Sequence, residues 1–160
     1  MAILHTIPPV IDESSKILIL GSFPSVKSRE TGFYYGHPRN RFWPVMESLF
    51  GKEIHTIDEK KSFLISHHIA LSDVILSCEI KASEDASITE VIPNDIASLI
   101  AGTRVRRIFL NGGKAYELYL RHNRLDIEAV RLPSTSPANA SWSLEKLLAA
   151  WSVVKDALRC

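Results

Sequence analysis

The run Ile17-Leu18-Ile19-Leu20 contains no polar residue and stops at Gly21. A strand that alternates apolar and polar residues buries one face, whereas a strand without alternation buries both. This restricts the chain to architectures in which helices cover both faces of a sheet. Gly21, free of a Cβ, lets the backbone turn sharply at the strand's carboxyl end. The loop from there to Trp43 is too rich in Gly, Pro, Ser and aromatic residues to be a spacer. In open α/β sheets ligands sit outside the carboxyl ends of the strands, so a site is expected in this loop.

The rest of the chain alternates in the same sense. Residues Met1 to Ser15 are short of pattern and are expected to wrap over the core. The first strand is read over Lys16 to Gly21. Asn40 reads as a helix start, followed by Phe42, Val45, Met46, Leu49 and Phe50 at helical spacing and closed by Gly51. Asp58 to Ser66 is a second helix, and His68 to Leu76 a second strand, or a strand running into a loop. The polar stretch Ser77 to Glu90 is expected to be an irregular binding loop. Pro93-Asn94-Asp95 opens a helix ending near Gly102. Val105 to Asn111 is a buried strand, and Gly112-Gly113 turns into a helix over Lys114 to Arg121. Ile127 to Leu132 is a fourth strand, Pro133 to Asn139 a stiff polar loop, and Ser143 to Leu158 a final helix. The expected architecture is α/β: one domain over residues 1–160, a three-layer α/β/α sandwich with a mainly parallel four-stranded central sheet.

Composition narrows function less than it narrows fold. At 160 residues and 46% hydrophobic, the chain can bury a sizeable core. Its net charge of +1 points to no partner, but Lys27, Arg29, His37, Arg39 and Arg41 gather in the first loop against Glu30 alone. Such a patch suits phosphate. The two cysteines, Cys78 and Cys160, have neither a disulfide framework nor metal-ligand spacing, which fits a reducing cytoplasm. No signal peptide or membrane-spanning run is expected, and no metal site.

Two familiar chemistries fail on spacing. A hydrolase nucleophile elbow needs a central Ser between glycines, and Gly21-Ser22-Phe23-Pro24-Ser25 places Phe23 there. The pair Gly112-Gly113 lacks the third glycine of a dinucleotide fingerprint and reads as a tight turn.

Three motifs taken together carry more. These are Gly21-Ser-Phe-Pro-Ser25, Gly36-His-Pro-Arg-Asn-Arg-Phe-Trp43 and Leu132-Pro-Ser-Thr-Ser-Pro-Ala-Asn139. The set resembles the uracil-DNA glycosylase superfamily, whose mismatch-specific branch has a similar Gly-x-x-Pro turn and His-Pro-x-Asn-Arg-Phe-Trp run. Within it the chain is most similar to the hypoxanthine-DNA (deoxyinosine) glycosylase family, and the likeness spans nearly the whole length.

That resemblance implies a DNA repair enzyme that hydrolyses the N-glycosidic bond of a deaminated base, hypoxanthine above all. The superfamily's iron–sulfur branches would need four cysteines and this chain has two, so no cofactor is expected; no lysine is poised for a Schiff base, so base removal without strand cleavage is expected. Uracil-active relatives carry Asn or Asp where this chain has Phe23, and some carry His where it has Leu132. Asn40 is then the expected catalytic group: a neutral amide offers donor and acceptor without needing a particular pKa. The extruded base is expected to meet Tyr35 by stacking, Phe23 as a wall, and Asp73 through hypoxanthine's ring N–H. DNA contacts are expected from Ser25, Lys27, His37, Arg39, Arg41, Ser134, Thr135, Ser136 and Asn139, with Asn139 near a wedge tip. The partner is DNA, double- or single-stranded, and the protein a monomer. The alternatives are a mismatch-specific uracil/thymine glycosylase and a non-catalytic nucleic-acid-binding module.

Overall fold

The structure, a computed structural model, describes residues 2–80 and 88–159. In chain order its first elements are β1 (Ile3–Leu4), β2 (Ile17–Gly21), α1 (Val26–Thr31), α2 (Phe42–Phe50), α3 (Ile57–Ser66), β3 (Ile69–Asp73) and β4 (Ile75–Ile80). Then come β5 (Ile88–Pro93), α4 (Ile96–Ile100), β6 (Arg107–Asn111), α5 (Gly113–His122), β7 (Glu128–Leu132) and α6 (Leu144–Ala157).

Four parallel strands form the central sheet in the order β3-β2-β6-β7. Every residue of β2 is buried, as its unbroken apolar run requires. Alternate side chains go to opposite faces. Ile17 and Ile19 join Phe42, Met46, Leu64 and Trp151 under α2, α3 and α6. Leu18 and Leu20 join Ile96, Ala115 and Leu118 under α4 and α5. The three-layer sandwich with a parallel four-stranded sheet is thus the architecture observed.

A second sheet, antiparallel and ordered β1-β4-β5, was not expected from the sequence. The run His68 to Leu76 is not one strand. It leaves the central sheet after Asp73, where Val74 and Ile75 donate their N–H groups to the carbonyls of Gly21 and Ser22 at 2.8 and 3.1 Å. The stretch Ser77 to Glu90 is not simply irregular, because its two ends belong to the paired strands β4 and β5. Its middle, residues 81–87, lies outside the described residues. The N-terminal segment does cover the core, but by strand pairing: Ile3 opposes Cys78, and Val10 bridges Leu71.

Two corrections concern the first loop. It contains a helix, α1, capped by Ser25, whose Oγ accepts the Ser28 N–H at 3.1 Å. The cap position of α2 is Arg41 rather than Asn40. Asn40 still serves the helix start, its Oδ1 accepting the Phe42 N–H at 2.9 Å. Among the described residues, no helix is long and apolar enough to cross a membrane.

Candidate active site

Parallel pairing in register brings the carboxyl ends of all four central strands to one edge. Gly21 lies beside Asp73, and Asn111 beside Leu132. All four line a cleft of about 800 Å³, roofed by Phe23, Tyr35 and the loop from Pro133 to Trp142. That volume is of the size that holds small-molecule ligands. Phe23, Tyr35, Asp73, Asn40, Ser25, Ser134, Thr135, Ser136 and Asn139 all line it, whereas Lys27, His37, Arg39 and Arg41 do not.

Gly21 permits the close approach at the strand end. A Cβ there would stand 2.6 Å from Asp73 Oδ1 and 2.9 Å from the Tyr35 hydroxyl. Tyr35 itself has φ +54°, a left-handed conformation costly for a residue with a side chain. Its neighbours hold it there. Gly36 donates its N–H to the buried Ser28 Oγ at 2.9 Å, and Trp43 Nε1 donates to the Tyr34 carbonyl at 3.1 Å. The Tyr35 ring lies on Phe42, with centroids 4.2 Å apart and planes at 20°. Burial raises the pKa of Tyr34, and the negative charge of Asp73 raises it further, so this phenol keeps its proton.

Asn40 is oriented by two donors. Its Oδ1 accepts from the Phe42 N–H at 2.9 Å and from the Thr135 hydroxyl at 2.8 Å. The Thr135 hydroxyl in turn accepts from Asn111 Nδ2 at 3.0 Å, while the Thr135 N–H donates to Asn111 Oδ1 at 3.0 Å. A backbone N–H can only donate, so both amides are fixed with their oxygens toward these protons. The Asn40 oxygen is therefore engaged twice by the protein. What Asn40 offers the cleft is its amide nitrogen, a donor.

This geometry redirects several of the expected DNA contacts. Thr135 is fully buried, so its hydroxyl organises Asn40 rather than meeting phosphate. Arg41 is likewise turned inward. Its guanidinium donates to the carbonyls of Ser136 (3.1 Å), Asn139 (3.0 Å) and Trp142, tying down the last loop. Asn139 is folded back, its Nδ2 donating to the Ser134 carbonyl at 3.0 Å. The exposed tip of that loop is instead Pro137 and Ala138. Lys27 and Arg39 remain exposed, Lys27 paired with Glu30 at 3.5 Å, and His37 accepts the Arg39 N–H on Nδ1 at 3.0 Å.

Two residues of the site were not anticipated. Asn111 ends a buried strand, and the rule that ligands gather at strand carboxyl ends could have found it. His5 could not have been found so, since it reaches Asp73 from 68 positions away, Nε2 to Oδ2 at 2.8 Å. Among the described residues, no group of three or more His, Cys, Asp or Glu side chains could hold a metal ion.

The Asn40–Thr135–Asn111 chain is directly testable. Thr135→Val keeps the shape but leaves the half-buried Asn111 Nδ2 without its acceptor and the Asn40 oxygen with Phe42 as its one remaining donor, at a cost of about 1–3 kcal/mol. If Asn40 acts on the reacting bond, the rate falls on the order of tenfold to a hundredfold as its amide loses its aim. Thr135→Ser, which keeps the hydroxyl, should stay within a few-fold of the parent. Single-turnover kinetics and thermal unfolding of the two variants check both halves.

The family model for the uracil DNA glycosylase superfamily matches residues 8–157. A hypoxanthine DNA glycosylase of Methanosarcina acetivorans is 38% identical over 141 residues, covering 85% of this chain and 88% of the relative. A hypoxanthine DNA glycosylase of Methanosarcina barkeri is 34% identical over 150 residues, covering 91% and 93%. The solution NMR structure of a Methanosarcina acetivorans protein described as a candidate uracil DNA glycosylase superposes with a TM-score of 0.78. It is 32% identical and covers 97% of this chain and 99% of that one.

Proposed function

Because the chain belongs to the uracil DNA glycosylase superfamily, we propose that it removes hypoxanthine from deoxyinosine in DNA, with Asn40 stabilising the departing base. The reaction is hydrolysis. The bond between sugar C1′ and base N9 breaks, water supplies hydroxyl to the sugar and a proton to the base, and an abasic site remains. Among the described residues no lysine lines the cleft, which supports base removal without an amine adduct.

One observation carries the reading: the Asn40 oxygen is occupied by Phe42 and Thr135. An acceptor would be needed to draw a proton from the attacking water, and that end of the amide is engaged. A donor facing the attacking oxygen would weaken it as a nucleophile. The same donor facing the base strengthens it as a leaving group, because negative charge grows there as the bond breaks. Phe23 and Leu132 supply no polar group of their own, so the work falls to this amide.

Base choice follows from Asp73 and the aromatic walls. A carboxylate accepts the ring N–H of hypoxanthine, which has a carbonyl on one side and only C2–H on the other. Uracil flanks its ring N–H with carbonyls on both sides, which a carboxylate repels. The test is a panel of duplexes carrying hypoxanthine, uracil, xanthine or thymine at one position, with alkali to reveal abasic sites. Hypoxanthine should be released fastest. Release of uracil at the same rate, or of no base, would overturn the proposal. Action on both double- and single-stranded DNA, as a cytoplasmic monomer, belongs to the same reading.

A further inference from the structure

Asp73 has two oxygens, and they are in different hands. Oδ2 accepts from His5 Nε2 at 2.8 Å, in a pair whose side chains are only 7% and 4% exposed. Oδ1 lies at the cleft edge beside Gly21. His5 is held in turn by ring contacts, with Phe23 edge-on at 5.8 Å and Tyr34 at 5.9 Å. The Tyr34 hydroxyl donates to the carbonyls of Ile7 and Pro8, each at 3.2 Å, fastening the segment that carries His5. The backbone of Asp73 is fixed from the other side, its carbonyl accepting from Asn94 Nδ2 at 3.2 Å.

We propose that His5 is a specificity residue which, by occupying the second oxygen of Asp73, prevents the enzyme from accepting guanine. The inference rests on the reading that the pairing edge of the flipped base meets Asp73. Hypoxanthine and guanine are the same purine except for the 2-amino group of guanine. Hypoxanthine presents one donor on that edge, N1–H, and guanine presents two in parallel, N1–H and N2–H. A carboxylate with both oxygens open would accept both and favour guanine, the normal base of DNA. With Oδ2 held in the His5 pair, Oδ1 is the oxygen set at the cleft edge. It meets the one ring donor of hypoxanthine and leaves the amino group of guanine unpaired in a desolvated place, next to the imidazole's own donor.

The experiment uses the full chain and two duplexes that differ only in carrying deoxyinosine or guanine opposite the same thymine, so that both bases start from a mismatched wobble pair. Single-turnover release is followed for the parent, His5→Ala, His5→Leu and His5→Gln, with thermal unfolding recorded for each. In His5→Ala guanine release should become measurable, and the hypoxanthine-to-guanine ratio should fall roughly tenfold or more, the worth of one hydrogen bond to a charged acceptor. His5→Leu fills the ring's volume without a donor and carries the same test should the alanine variant fail to fold. His5→Gln, whose amide can donate to Oδ2, should restore the ratio. A purely structural role would lower both rates together and leave the ratio where it was. If the parent releases hypoxanthine and the folded alanine or leucine variant keeps the parent's ratio, the role of His5 is refuted. If the parent leaves deoxyinosine intact, it is the underlying reading that falls.

Discussion

Asn40→Ala is expected to release hypoxanthine about a hundredfold to a thousandfold more slowly than the parent, the usual cost of removing one donor aimed at developing charge. The loss should appear in the single-turnover rate rather than in binding, because the charge that the amide meets is absent from the intact nucleotide. Removing the side chain also strips the Phe42 N–H and the Thr135 hydroxyl of their shared acceptor. Unfolding must therefore be recorded alongside. Asn40→Asp separates the two roles an amide can play. A carboxylate has no donor and repels an electron-rich base, so this variant should be at least as slow as alanine at neutral pH. Were it instead fast, the side chain would be acting as an acceptor for water, and the assignment of Asn40 to the leaving base would be wrong.

The second large effect is on stability. Trp151 of α6 is completely buried, edge-on to Phe42 at 5.8 Å, and its Nε1 donates to the Pro133 carbonyl at 2.9 Å. Trp151→Ala should cost about 3–5 kcal/mol, through lost contacts and the cavity left behind. For a chain of this size that lowers the melting temperature by about 10 °C or more. Trp151→Phe keeps most of the packing but leaves Pro133 without its donor, at the root of the loop that carries Thr135. Its melting temperature should fall by only a few degrees, with a proportionally larger loss of rate. Calorimetry and single-turnover assays on the pair would tell packing from loop anchoring.

How far these residues could be read in advance depends on the range of the interaction that places them. The run Ile17 to Leu20 announced its strand because burial on both faces leaves a local mark, and the parallel sheet followed from the alternation of strands with helices along the chain. Asn40 lies within a motif continuous in the chain, and Tyr35 directly beside it. Asn111 was legible by position, as the last residue of a buried strand, yet its side chain declares its purpose only once Thr135 is beside it. The end of β3 at Asp73 had no local mark, since Val74 and Ile75 turn away to pair with Gly21 and Ser22. Nor had β1, a pair of residues made a strand by β4 alone. Arg41 misled for the same reason. In sequence it is one more cation of a basic loop, and only the fold brings three carbonyls around it.

The cleft draws on His5, Asn40, Asp73, Asn111 and Thr135, contributed by segments spread over most of the chain length. Parallel sheets and other long-range pairings form late and cooperatively. A nascent or partly melted molecule therefore lacks the assembled set of these groups. Completion of the fold and assembly of the cleft coincide.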